Sequence, residues 1–197
     1  MESYRRQVLA ALALTLASAS TAAAQGMAKG DMAMEKGTTI VGGQAMYRSR
    51  DIVDNAVNSA DHTTLVQAVK AAGLVETLKG TGPFTVFAPT NSAFAQLPEG
   101  TVSTLLEPEN KAQLTKVLTY HVVAGSYDTE ALLKAIKSGH GQAALRTVNG
   151  ESLRFMMNGD RNIVVRDAKG GVANISTYDV RQSNGVIQVI DRVLLPS

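Results

Sequence analysis

Apolar residues along this chain recur first at helical spacing and later at strand spacing. Asp51-Ile52-Val53-Asp54-Asn55-Ala56-Val57 predicts a short amphipathic helix. Asp61 to Thr63 offers N-cap chemistry, and Leu65, Val69 and Ala72 then share a helical face that ends near Gly73. Leu74, Val75 and Leu78 predict another short helix, stopped by Gly80-Thr81-Gly82-Pro83. The period then changes: Phe84 to Ala88 is a β-type run ended by Pro89. Asn91 is placed to cap a helix carrying Phe94 and Leu97, Thr101 to Leu106 forms the next, and Pro108 opens one that runs to about Leu118. His121 to Ala124 reads as extended, and Thr129 to Lys137 as a helix bearing Leu132, Leu133 and Ile136.

From Leu145 onward the period is two. Leu153, Phe155 and Met157 alternate with Ser152, Arg154 and Met156, Asn158-Gly159-Asp160 turns the chain, and Ile163 to Val165 returns. Lys169-Gly170-Gly171 leads into Val172 to Ile175, and the last run spans Gly185 to Leu195. In that run Val186, Gln188, Ile190 and Arg192 point one way and Ile187, Val189, Asp191 and Val193 the other. Both sets are largely apolar, which predicts a central strand, and Asp191 would need a partner if buried. Helices first and strands later, without βαβ alternation, give an α+β fold.

Composition narrows the chemistry. With 197 residues, 45% hydrophobic and no Cys or Trp, the chain has neither a disulfide framework nor a thiolate metal site, and it depends on its core. Its net charge of +2 is unevenly placed, since residues 51–197 carry 13 basic against 14 acidic side chains. A body so close to neutral lacks the electrostatic footprint of a nucleic-acid binder.

The N-terminus is set apart. Arg5 and Arg6, an apolar run from Val8 to Ala19, and Ala22-Ala23-Ala24 have the layout of a secretory signal peptide over residues 1–24, with cleavage near Ala24. The mature chain would then be exported, periplasmic or at the cell surface, with no transmembrane segment. Residues 25–48 carry scattered glycines and charges and read as a flexible leader, followed by one domain over 49–197. Met27, Met32, Met34 and Met46 fall in this stretch. Thioethers are soft ligands, so Met27, Met32 and Met34 form a candidate Cu(I) site, against the plainer reading that Met and Ala fill the leader by composition.

Catalytic signatures do not emerge. His62, His121 and His140 are separated by 59 and 19 residues, which fits no zinc motif, and Ser126 lies in Ala-Gly-Ser-Tyr rather than in a nucleophile elbow.

Three stretches go beyond a fold class. Phe84-Thr85-Val86-Phe87-Ala88-Pro89-Thr90-Asn91-Ser92-Ala93-Phe94 resembles the first signature block of the fasciclin domain, and Leu118-Thr119-Tyr120-His121-Val122-Val123 resembles its Tyr-His segment. Ser183 to Pro196 resembles its closing block. The resemblance implies a compact wedge-shaped β-sandwich with several short helices packed along one side. It also implies a monomeric, non-catalytic, cofactor-free adhesion protein that binds surface or matrix proteins or glycans. By the same resemblance Tyr120 and His121 are candidate contact residues. Their apolar flank of Leu118, Val122 and Val123 argues instead for burial, with His121 holding a polar partner. The alternative function is a periplasmic Cu(I) or small-ligand binder that uses the Met-rich leader.

Overall fold

Two glycines at positive φ, Gly42 at 58° and Gly43 at 73°, turn the chain between Thr39–Val41 (β1) and Gln44–Met46 (β2), which pair antiparallel. The computed structural model describes residues 37–197, so this hairpin occupies part of the stretch 25–48 expected as a flexible leader. Val41 and Met46 are its inward residues, and Met46 is 2% exposed in the core. Strands of three residues are too short to show a period, which is why the sequence pattern does not reveal them. The expected signal peptide at 1–24 and Met27, Met32 and Met34 lie outside the described residues.

Short helices follow. Ile52–Ala56 (α1) is capped by the Asp51 carboxylate, which accepts from the Asp54 N–H at 2.8 Å. Thr63–Ala72 (α2) ends at Gly73 in the left-handed region (φ 74°), and Val75–Lys79 (α3) comes next. Beyond Phe84–Pro89 (β3) come Asn91–Ala95 (α4), Thr101–Leu106 (α5) and Lys111–Tyr120 (α6), the last entered through a 3-10 turn at Pro108–Asn110.

Asn91 does not cap its own helix. Thr90 does, accepting from the Ala93 N–H, while Asn91 Oδ1 accepts from the Thr64 N–H of α2 at 3.0 Å and its Nδ2 donates to Ala60 O at 2.8 Å. The start of α2 is therefore satisfied from a distant segment, not by Asp61 or Thr63. His62 at the cap position makes no such bond.

The remaining elements are Val122–Ala124 (β4), Thr129–Ser138 (α7), Gln142–Arg146 (β5), Ser152–Asn158 (β6), Asn162–Arg166 (β7), Val172–Gln182 (β8) and Gly185–Ile190 (β9). Seven strands form one sheet in the order β4-β3-β9-β8-β7-β6-β5, with β3 and β9 parallel and the other pairs antiparallel. The sheet curls until its ends meet. Val123 bridges Thr147, and the Val148 N–H donates to Val122 O at 2.8 Å.

The curl makes two cores. Phe87 of β3 and Phe155 of β6 face each other inside it with ring centroids 5.2 Å apart, and Leu132 and Ile136 of α7 join that cluster. The other cluster sits between the sheet and helices α1 to α6, and includes Met46, Leu65, Leu118 and Ile187. Both faces of β9 are buried, as a strand between β3 and β8 requires.

Two strands differ from expectation. β8 runs eleven residues, past the expected Val172 to Ile175, and bulges near Thr177 and Asp179, the latter at φ 54°, break the alternation that would have revealed its second half. β9 stops at Ile190. Asp191 there turns to accept from the Asn174 N–H and Nδ2, both at 2.8 Å, so it has its partner at a strand end instead of within a strand.

Candidate functional site

α6 ends where its final turn enters the sheet, and this junction places Tyr120 and His121 side by side inside the fold. His121 is the C-cap residue of α6, and its carbonyl accepts from the Phe87 N–H at 2.9 Å, tying the helix end to β3. Tyr120 is 0% and His121 2% exposed, so neither ring presents a surface to a partner. Both imidazole nitrogens are engaged with main chain. Nδ1 lies 2.8 Å from Val117 O and Nε2 accepts from the Leu194 N–H at 3.0 Å, which puts the proton of the neutral ring on Nδ1. Burial pushes the His121 pKa down to about 4, against weaker opposition from Val117 O and the Asp167 charge.

The Tyr120 hydroxyl accepts from the Ala168 N–H at 2.9 Å and donates to Ser152 O at 3.3 Å, and burial raises its pKa. Asp167 completes the cluster. Its two oxygens accept from the Gly171 N–H at 2.6 Å and the Leu195 N–H at 3.0 Å. Tyr120, His121 and Asp167 thus hold the C-terminal segment, the loop at 167–171 and the start of β6 through backbone bonds, which makes them positioning residues. Asp167 escapes a sequence search because the partner that ties it to the C-terminal segment, Leu195, is 28 residues away.

An open groove of about 770 Å³ lies at the other end of β9, lined by Arg48, Asp51, Lys79, Ser126, Arg181 and Asn184 among others. Asn184 builds its floor. Oδ1 accepts from the Ile52 N–H at 3.0 Å, and Nδ2 donates to Leu78 O at 2.8 Å and Gly80 O at 3.1 Å. The groove's charges are mostly matched. Lys79 pairs with Asp51 and Asp54, and Arg181 with Asp128 at 2.7 Å. Burial pulls the Asp51 carboxyl up, but the Asp54 N–H and Lys79 hold it below its ordinary value. The Ala131 N–H, with Arg181, does the same for Asp128.

A third feature is an apolar cavity of about 90 Å³ beneath α1 and α2, where His62 shares its Nδ1 with Ser59 Oγ at 2.9 Å. Burial lowers the pKa of His62 as well. The three histidines do not converge, and among the described residues no group of three or more His, Asp or Glu could hold a metal ion.

Comparison with known proteins gives a consistent result. The family model described as the fasciclin domain matches residues 60–196. Protein sll1483 of Synechocystis is 45% identical over 172 residues, covering 86% of this chain and 87% of that protein. The immunogenic protein MPB70 of Mycobacterium bovis is 35% identical over 146 residues, covering 72% and 66% of the two chains. The transforming growth factor-beta-induced protein ig-h3 of Sus scrofa is 34% identical over 134 residues, which is 68% of this chain but only 17% of that one. A solved FAS1 domain pair from the insect cell adhesion molecule Fasciclin I shares the fold, with a TM-score of 0.66 at 20% identity over 74% of this chain and 51% of the pair.

Proposed function

The chain belongs to the fasciclin domain family, and from that premise we propose that it is an exported, non-catalytic protein that binds a cell-surface or matrix partner. The observation that carries this reading is the assignment of the interior polar groups. Tyr120, His121 and Asp167 are all bonded to main chain, so the chemistry free to meet a partner lies on exposed strands, helix ends and loops. The fold shared with a cell adhesion molecule supports the same reading. Export rests on the basic, apolar and small-residue order of residues 1–24. No helix among the described residues is long and apolar enough to cross a membrane.

Binding of the purified chain to intact cells and matrix, beside a form lacking residues 25–36, tests the proposal. Saturable binding by both forms is expected. Absence of saturable binding by either form overturns it, and binding that needs residues 25–36 moves the contact to the Met-bearing stretch.

A further inference from the structure

The outward positions of β5, β6 and β7, the part of the sheet's outer face not covered by helices, carry charge of one sign. In β6 and β7, Arg154 lies directly opposite Arg166, and both are exposed. Directly opposed residues on one sheet face have Cβ atoms about 4.5–5.5 Å apart, and like charges there oppose folding. Neither arginine forms a salt bridge among the described residues. Arg146 of β5 stands diagonally from Arg154, whose direct partner on that side is Ala144. Arg146 is exposed too, and its Nε donates to Gly150 O at 3.2 Å, which leaves both terminal guanidinium nitrogens without a hydrogen-bond partner among the described residues.

β5, β6 and β7 contain no Asp or Glu at all. Of the acids adjoining these strands in sequence, Glu151 is committed to Lys116 at 3.4 Å and to the Ser197 N–H at 2.9 Å, and Asp167 to its two backbone partners. Asp160 sits in the β6–β7 turn beyond the pair of Asn158 and Asn162, at the far end from the arginines. A three-arginine row thus sits on a body whose overall balance is slightly acidic.

We propose that the Arg146–Arg154–Arg166 face binds an extended anionic polysaccharide, a refinement that rests on the surface-binding function above. Guanidinium groups take carboxylate and sulfate through paired N–H bonds, and adjacent strands about 4.8 Å apart space them in a row across the sheet. An anion between Arg154 and Arg166 also relieves their mutual repulsion. The outward positions of β5 to β7 carry no aromatic ring, so unstacked bases find no platform there. Val164 is only 5% exposed between Met156 and Asn174, so the part-exposed Met156 is the one large apolar side chain that the outward positions of β5 to β7 offer a bilayer, far short of an apolar face.

The full chain is tested on heparin, a sulfated probe, and polygalacturonate, a carboxylated one, with neutral dextran and polyuridylate as contrasts. Salt-sensitive binding to at least one acidic polysaccharide, and none to dextran, is expected. Arg154→Gln with Arg166→Gln weakens it about tenfold, and Arg146→Gln alone about threefold. Lys134→Gln with Lys137→Gln removes the same charge from α7, which packs on the inner face, and leaves affinity within about twofold.

Equal losses in the two double variants, no binding by the unmodified chain, or tighter binding to polyuridylate overturns the proposal. Thermal melting of each variant shows that it is folded, with the arginine pair unchanged or more stable. Cell binding is measured in parallel. Cells still bound by the arginine double variant overturn this face and spare the broader function, whereas polysaccharide binding without cell binding supports the face and strikes the broader function.

Discussion

The imidazole of His121 accepts a hydrogen bond from the backbone N–H of Leu194, 3.0 Å away in space and 73 residues later in sequence. That bond exists only while the ring is neutral. The folded pKa is about 4, against about 6.5 for an exposed histidine. Between those values the unfolded chain takes up a proton that the folded chain refuses. The neutral ring's contribution is therefore fully present above about pH 6.5 and is lost as pH falls toward 4, by about 3 kcal/mol. His62 titrates in the same direction. Urea denaturation at pH 7.5 and pH 4.5 should show His121→Gln losing less stability than the unmodified chain as pH falls. Parallel losses would remove His121 from the pH response.

Tyr120→Phe removes one oxygen and leaves the Ala168 N–H without its partner. A cost of about 1–3 kcal/mol is expected, or about 2–4 °C of melting temperature per kcal/mol for a domain of this size. Because the ring is 0% exposed, binding to cells should be unchanged at temperatures where the variant is folded.

Asn91 and Thr90 separate two kinds of cap. Thr90→Ala removes a local bond within α4 and should cost about 1 kcal/mol. Asn91→Ala frees the Thr64 N–H and Ala60 O together and should cost more, about 2 kcal/mol. Asn91→Asp keeps the acceptor and loses the donor, so its equilibrium denaturation should fall between the unmodified chain and Asn91→Ala.

Truncation distinguishes leader from fold. Removal of residues 25–36 should leave the melting temperature where it is. Removal of 25–50 strips Val41 and Met46 from the core, along with Tyr47, whose N–H and O are bonded to Asn55. Met46→Ala alone should cost about 2–5 kcal/mol, measured by denaturant titration.

Asp179 is a test of backbone conformation. At φ 54° its Oδ1 accepts from the Thr129 N–H at 2.8 Å and Gln188 Nε2 at 2.9 Å. Asn at this position tolerates the left-handed region and keeps an oxygen there, so Asp179→Asn should melt within a few degrees of the unmodified chain. Asp179→Val combines a β-branched side chain at positive φ with two lost bonds and should be far less stable.

The parts legible in the sequence share a property: their cause lies within a few residues. The α7 stripe of Leu132 and Ile136, the Asn158-Gly159 turn and the Phe84–Pro89 strand each follow from spacing alone. Burial of Tyr120 and His121 was also readable from their apolar neighbours. Most of their hydrogen-bond partners were not, because Leu194, Ala168 and Ser152 lie 73, 48 and 32 residues further along the chain. The second half of β8 escaped for a different reason, since its bulges erase the period-two signal that defines a strand. The arginine row needed cross-strand register, which no single stretch of sequence contains.

The bridge between Val123 and Thr147 has a consequence for crowded surroundings. An open sheet ends in a strip of unpaired amides and carbonyls that can template a neighbour's strand. Here the two edges meet each other at that bridge, where Val122 O takes the Val148 N–H, so part of that strip is used up internally. Many copies packed on one surface would therefore have less main chain with which to zip together, and lateral association would depend more on side chains, where a few substitutions can strengthen or abolish it.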